Sequence, residues 1–303
     1  MNQKIKIEET TTEILPKRKR GRPPKNIAKT PVETINKFSG KSFHNNEEIN
    51  INFASIIKKN NPLAVVFIPF DSEISEKNFK MFLRNLSTKI VPSLFVFVAN
   101  RKTLNPYFKD IAPYIKNGNF VGFDFPIDKN GFGKGLEGAL NFISDETGNY
   151  GNIQNIIIIN PSIVFSPDSI NLMIRRLGKT NVGILSGFYD RNFDYNEVRN
   201  NSGNTFSYRG DVKNIISPSF WGIKTNFWQL AKPDFNYKTK EYFSMDLKMK
   251  LFVKGIDAVS SKELSFSYTD PDYDSSKNSD FTEEDKKYFL SKWHFFPIIN
   301  PLI

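Results

Sequence analysis

An α/β fold, built on a mostly parallel sheet with helices on both faces, is predicted for most of this 303-residue chain. Three observations predict it. Short, wholly apolar runs recur along the sequence, as strands buried on both faces require. Stretches with apolar residues at helical spacing separate them. Hydrophobic residues make up 39% and aromatics 14%, which supports a sizeable core and excludes disorder throughout.

The elements follow in order. Leu63-Ala64-Val65-Val66-Phe67-Ile68-Pro69 reads as a buried strand. Residues 75–86 read as a helix with Phe79, Phe82, Leu83 and Leu86 on one face. A second strand covers 93–98, a helix 105–116, a third strand 120–123 and a helix 135–144. Ile156 to Ile159 is apolar throughout and is expected at the sheet centre. Ser166-Pro167-Asp168 opens a helix to about Leu177, with Ser166 as its N-cap and Pro167 in its first turn. Residues 182–186 form a fifth strand. Strands alternating with helices imply parallel pairing, and ligands of such sheets bind beyond the carboxyl ends of the strands. The loops after Ile68, Val98, Phe123 and Ile159 are therefore the expected site.

Composition narrows the chemistry. The chain has no Cys, which excludes disulfides, thiolate metal sites and a cysteine nucleophile. It has two His, His44 and His294, and neither is assigned a catalytic role. No apolar run approaches the ~20 residues of a spanning helix, and the first residues lack a signal-peptide pattern, so no membrane partner and a cytoplasmic location are expected. Abundant Lys, Asn and Ile match an AT-rich genome, viral ones included.

The charge is uneven. Residues 1–41 carry eight Lys and three Arg against four Glu, so this segment holds +7 of the formal +10. Residues 1–45 read as a disordered basic arm and 46–303 as the folded body. Within the arm, Lys17-Arg18-Lys19-Arg20-Gly21-Arg22-Pro23-Pro24-Lys25 resembles an AT-hook. Gly21 lets the backbone lie deep in the minor groove of A·T-rich DNA, and Arg20 and Arg22 extend along its floor. Pro23 and Pro24 keep the chain extended, while Lys19 and Lys25 reach phosphates. The same run also reads as a generic basic tail or a nuclear-localisation-like segment.

The body carries a family resemblance. Asn130-Gly131-Phe132-Gly133-Lys134-Gly135 precedes a helix; Ile159-Asn160-Pro161-Ser162 and Phe165-Ser166-Pro167-Asp168 follow. With Ile68-Pro69-Phe70, Phe243-Ser244-Met245-Asp246-Leu247, Lys250, Gly255 and the aromatic stretch from Tyr288 to Trp293, this resembles family 2 glycosyltransferases of the GT-A fold, in particular their rhamnosyltransferase-like branch. The resemblance covers about residues 62–293. It implies a donor half over about 62–187 and an acceptor half over about 188–293. It also implies a nucleotide-diphosphate sugar as donor, held by Pro69, Asn100, Gly131, Gly133, Lys134, Asn160 and Ser162. The glycines would let the chain approach the diphosphate, and Lys134 would offset its charge. Such enzymes usually add a divalent cation, Mg²⁺ or Mn²⁺, and a carboxylate base.

Departures fall at the chemical positions. Ala99 stands where the family holds the nucleotide base with Asp, Ser162 where it binds metal with Asp, and Ser244 where its catalytic Asp falls. Asp246 matches the second acidic position and is the catalytic candidate. Tyr268 lies near the family's late His. Asp270, Asp272 and Asp274 alternate in a way that suits a hard cation, or form a solvated acidic turn. Asp124 or Asp128 would replace the base-binding Asp; Asp190 and Asp194 would contact an acceptor or lie in a surface loop. Trp221 and Trp228 would stack on a sugar or base, or pack in the core. Two functions stay open: a transferase acting on a hydroxyl acceptor such as a modified DNA base, and a catalytically degenerate body serving as a DNA-binding or structural module.

Overall fold

A computed structural model describes residues 63–70, 74–86, 93–99, 119–147, 153–190, 211–213, 216–270 and 279–294. The basic arm with residues 17–25, His44, the expected helix over 105–116, and Asn100, Asp194, Asp272 and Asp274 lie outside the described residues.

Four strands make one half of the sheet: Ala64–Pro69 (β1), Ser93–Ala99 (β2), Asn119–Asp124 (β3) and Asn155–Ile159 (β4). They lie in the order β3-β2-β1-β4, all parallel. Every residue of β1, β2 and β4 is buried, which is why these runs are apolar without alternation. Five strands follow along the chain: Ile163–Phe165 (β5), Ile184–Tyr189 (β6), Asp211–Lys213 (β7), Phe220–Lys224 (β8) and Ala258–Tyr268 (β9). β8 lies antiparallel between β4 and β6, and β9 lies parallel beyond β6. The path continues β4-β8-β6-β9-β5, and β7 also pairs with β9. β1–β4, β6 and β9 share one direction, so the sheet is mixed but mostly parallel, as expected.

Helices cover both faces. The first is Glu76–Leu86 (α1), then Ile127–Asn130 (α2), Phe132–Thr147 (α3) and Ser169–Lys179 (α4). Thr225–Ala231 (α5), Lys240–Phe252 (α6) and Ser279–Trp293 (α7) complete the described set. Phe79, Phe82 and Leu83 of α1 and Met173 and Leu177 of α4 pack with Ile68, Phe97, Ile159 and Phe266 on one face. Leu136, Leu140 and Ile143 of α3 join Trp228, Phe243, Leu247 and Phe289 against Val65, Phe67 and Ile158 on the other. Alternate strand residues thus feed two separate core layers.

Three boundaries correct the sequence reading. α4 begins at Ser169 with Asp168 at its N-cap position; Ser166 instead accepts the Ser169 N–H on its backbone oxygen at 2.9 Å, closing a turn. The helix expected over 135–144 begins at Phe132, through the glycines. The fifth expected strand lies two residues later, at 184–189.

Candidate functional site

The topology marks one crevice. From β1 the chain proceeds outward to β2 and β3, then returns to place β4 on the other side of β1. Strand order reverses at that point, and in sheets of this kind ligands bind where the loops leaving two such strands diverge, beyond their carboxyl ends. Pro69 ends β1 and Asn160 follows β4.

Buried polar groups line this edge. Asn160 is 1% exposed. Its N–H donates to the Ser219 carbonyl at 2.7 Å, and its side-chain oxygen accepts the Ser162 N–H at 2.8 Å. The Ser162 carbonyl accepts from the Thr269 N–H at 2.8 Å and from its hydroxyl at 3.0 Å. The Ser219 and Tyr268 hydroxyls share a hydrogen bond of 2.9 Å. The ends of β4 and β9 and the start of β8 are thereby stitched into one polar seam. Tyr189 ends β6 beside them, its ring centroid 5.4 Å from that of Tyr268. The next residue, Asp190, is half-buried and donates its N–H to the Phe266 carbonyl at 2.9 Å.

The glycine segment reaches the same edge but faces protein. Phe132 shares a narrow apolar crevice with Phe67, Pro69 and Val98, too tight to admit water. Gly131 has φ 88°, a conformation glycine tolerates, and a Cβ there would lie 2.7 Å from the Lys238 Cα. A Cβ at Gly133 would lie 2.5 Å from the Phe235 carbonyl oxygen. The Phe132 and Gly133 amides donate to the carbonyls of Lys238 and Tyr237, at 2.7 and 2.9 Å. The close approach anticipated for a diphosphate is thus made at Gly131 and Gly133 by residues 235–238. Lys134 projects outward, paired with Glu137 at 2.8 Å across a half-exposed surface. It lines a polar pocket of about 360 Å³ with Lys232, Asp234, Asn236 and Lys250.

Asp246 is not an open base. It is 1% exposed. Its Oδ1 accepts from Trp293 Nε1 at 2.9 Å and from the Tyr237 hydroxyl at 3.3 Å, and meets Lys292 Nζ at 2.7 Å. Its Oδ2 meets Lys250 Nζ at 2.9 Å. Lys292 also bonds Asp234 at 2.7 Å, so α6, α7 and the 232–239 segment share one charge network centred on the buried Asp246. Burial raises the Asp234 carboxyl, yet hydrogen bonds from Lys292, the Asn236 amide and Tyr288 outweigh it and hold its pKa below the usual range. Burial lowers Lys292, but Asp234 and Asp246 more than compensate and raise it. Burial and the neighbouring Asp246 push the Tyr237 hydroxyl well up.

The positions at which the resemblance leads one to expect acids are also closed. Ala99 is fully buried, and Ser244 is 4% exposed with its hydroxyl donating to the Glu241 carbonyl at 3.0 Å. Ser162 offers one hydroxyl on a backbone already engaged, a donor set that does not fit a divalent cation unaided. Among the described residues no three His, Cys, Asp or Glu side chains gather to hold a metal ion. Asp270 is exposed at the end of β9.

Trp221 and Trp228 are 0% and 3% exposed, so of the two roles read for them, stacking and core packing, burial supports core packing. Trp228 packs against Phe235 and Phe243. Asp128 is exposed on α2, and Asp124 pairs along the strand with Ala99. His294 ends α7 in a left-handed conformation, its N–H on the Leu290 carbonyl at 2.8 Å. Ser219, Thr269 and Tyr189 were not singled out by sequence. The alternation Leu264-Ser265-Phe266-Ser267-Tyr268 marks a half-buried strand and was the available signal. No helix among the described residues is long and apolar enough to cross a membrane.

No family model and no curated protein matches the chain. Solved structures do. The crystal structure of residues 1–349 of S. aureus TarS aligns with a TM-score of 0.48 and 10% identity over 76% of this chain, which spans only 64% of that one. Glucosyl-3-phosphoglycerate synthase from Mycobacterium tuberculosis, in complex with phosphoglyceric acid, aligns with a TM-score of 0.50 and 11% identity, covering 80% of this chain and 84% of that chain. The latter likeness shows the fold: this α/β sheet with its covering helices has the GT-A architecture.

Proposed function

We propose that this chain is a glycosyltransferase-like protein that binds a nucleoside-diphosphate sugar in the crevice between Pro69 and Asn160 and transfers the sugar to a hydroxyl. The observation that carries the reading is the reversal of strand order between β1 and β4, with buried polar residues gathered at that edge. In the transfer, the acceptor oxygen bonds the anomeric carbon and the nucleoside diphosphate departs with the electron pair. The hydroxyl proton passes to a carboxylate; the half-burial of Asp190, directly after Tyr189 at the end of β6, supports that residue in the role. Lys134 supplies a cation on the glycine segment; its pairing with Glu137 is exposed and weak, so a phosphate readily takes its place. The basic arm through residues 17–25 directs the protein to A·T-rich DNA, which makes a hydroxylated base the proposed acceptor.

A second reading rests on a specific observation. Ala99, Ser162 and Ser244 replace three acids, and Asp246 is locked by Lys250, Lys292 and Trp293. A body that binds a donor without transferring it accounts for this equally. Titration calorimetry with UDP-, GDP- and dTDP-glucose, with and without Mn²⁺, followed by transfer assays on 5-hydroxymethylcytosine DNA, separates the readings. Binding with transfer supports the enzyme, binding alone the degenerate body, and no binding to any donor overturns both.

A further inference from the structure

We infer that Tyr189 and Tyr268 form the acceptor's seat, a platform on which one nucleobase of a single-stranded or extruded nucleic acid stacks. The inference rests on the reading of the crevice as a donor site and adds the acceptor to it.

The two tyrosines end adjacent parallel strands, β6 and β9, on the carboxyl edge that holds Asn160. Both are half-buried, so part of each side chain reaches the surface. Their rings are tilted 50° to each other. Phe266, fully buried, backs both, with centroids at 6.0 Å from Tyr189 and 5.9 Å from Tyr268. Phe220, also fully buried, supports Phe266 from beneath at 6.2 Å. The platform is therefore held from below, and stacking on it loses little conformational freedom.

Position agrees. β6 lies two strands from β4, which places Tyr189 about 10 Å from the donor crevice. The hydroxyl bond between Tyr268 and Ser219, and the Ser219 carbonyl on the Asn160 amide, tie the platform to the crevice. Trp221 and Trp228 cannot serve instead, because both are buried.

Charge selects the occupant. A flat ring on paired tyrosines suits a nucleobase or a sugar, but a saccharide does not call for the +7 of residues 1–41. Base stacking on aromatic rings tolerates any sequence, so the platform would hold the base while the arm holds the backbone.

Photocrosslinking tests this on the full chain. A single-stranded 12-mer carrying 5-iodouracil is irradiated with the protein, and the adduct is located by mass spectrometry. An adduct on Tyr189 or Tyr268 is expected; adducts confined to residues 1–45 overturn the inference. Anisotropy with the same strand, in an Arg20→Ala/Arg22→Ala background that weakens the arm, is expected to show about tenfold weaker binding for Tyr189→Ala and less than a twofold change for Tyr189→Phe. Equal affinities for all three overturn it. So does maltohexaose binding that falls in Tyr189→Ala while the strand's does not. Donor calorimetry on Tyr189→Ala keeps the two readings apart: unchanged donor binding with no base effect sinks the platform alone, and an adduct on Tyr268 without donor binding sinks the crevice alone.

Discussion

At the residue scale, Asp246 and Gly133 show how a motif legible in one dimension acquires contacts that only the fold supplies. Asp246 was legible as an acid in a helical motif, because spacing to Lys250 and Gly255 is a one-dimensional property. Its burial was not legible, because Lys292 and Trp293 arrive from α7, more than forty residues away. Asp246→Ala would leave Lys250 and Lys292 without this shared partner in the interior, and a broken buried pair of this kind costs about 3–5 kcal/mol. Urea denaturation is expected to show that loss; a stable Asp246→Ala protein lacking only transfer activity would return the residue to catalysis. Gly133 follows the same logic. Its missing side chain admits the Phe235 and Tyr237 carbonyls, so Gly133→Ala is expected to destabilise by about 1–3 kcal/mol through overpacking. A midpoint unchanged within error would show that the 235–238 segment moves aside.

At the element scale, the legible strands were those whose burial is double. β1, β2 and β4 announce themselves as apolar runs because no residue of theirs meets water. β9 escaped because Ser260, Ser261, Ser265 and Ser267 dilute its apolar pattern, and its serines find partners only in the fold: Ser260 bonds the Gly187 carbonyl at 2.8 Å. α7 was legible as an aromatic stretch, yet its work is polar. Asp285, 2% exposed, accepts the N–H groups of Lys238 and Thr239, at 3.0 and 2.7 Å, and the Thr239 hydroxyl. It thus restrains the turn from which α6 starts, and the carbonyls of Tyr237 and Lys238 hold the glycine segment. Lys292 adds pH dependence. The Asp234 pKa is depressed in the folded chain, so its contribution is present above the unfolded value and lost as pH falls through the folded one. The Lys292 pKa is raised, so its contribution is present below the unfolded value and lost as pH rises through the folded one. The α7 clamp is therefore expected to hold at neutral pH and weaken below the ordinary carboxylate range. Thermal unfolding across pH should show an acid decline that Lys292→Met flattens; an identical slope in that variant would remove Asp234 from the cause.

At the scale of the whole molecule, the proposed function divides the labour between charge and fold. Arm and body carry +7 and +3, while the crevice is lined by neutral groups, so nucleic-acid affinity and donor affinity should respond to different variables. Phosphate contacts release counterions, and each one lost from a duplex complex lowers the slope of log affinity against log salt by about 0.9. Lys19→Ala/Lys25→Ala is therefore expected to weaken binding to A·T-rich duplex and flatten that slope by about 2. On the proposed reading donor binding should not move, because the donor is assigned to the sheet edge at Pro69 and Asn160 rather than to the arm. Removing residues 1–45 extends the same comparison: duplex affinity should collapse while the nucleoside-diphosphate isotherm keeps its midpoint. Should the isotherm shift with the arm, the arm and the crevice would be one site, and the division between a delivering tail and a receiving sheet edge would fail.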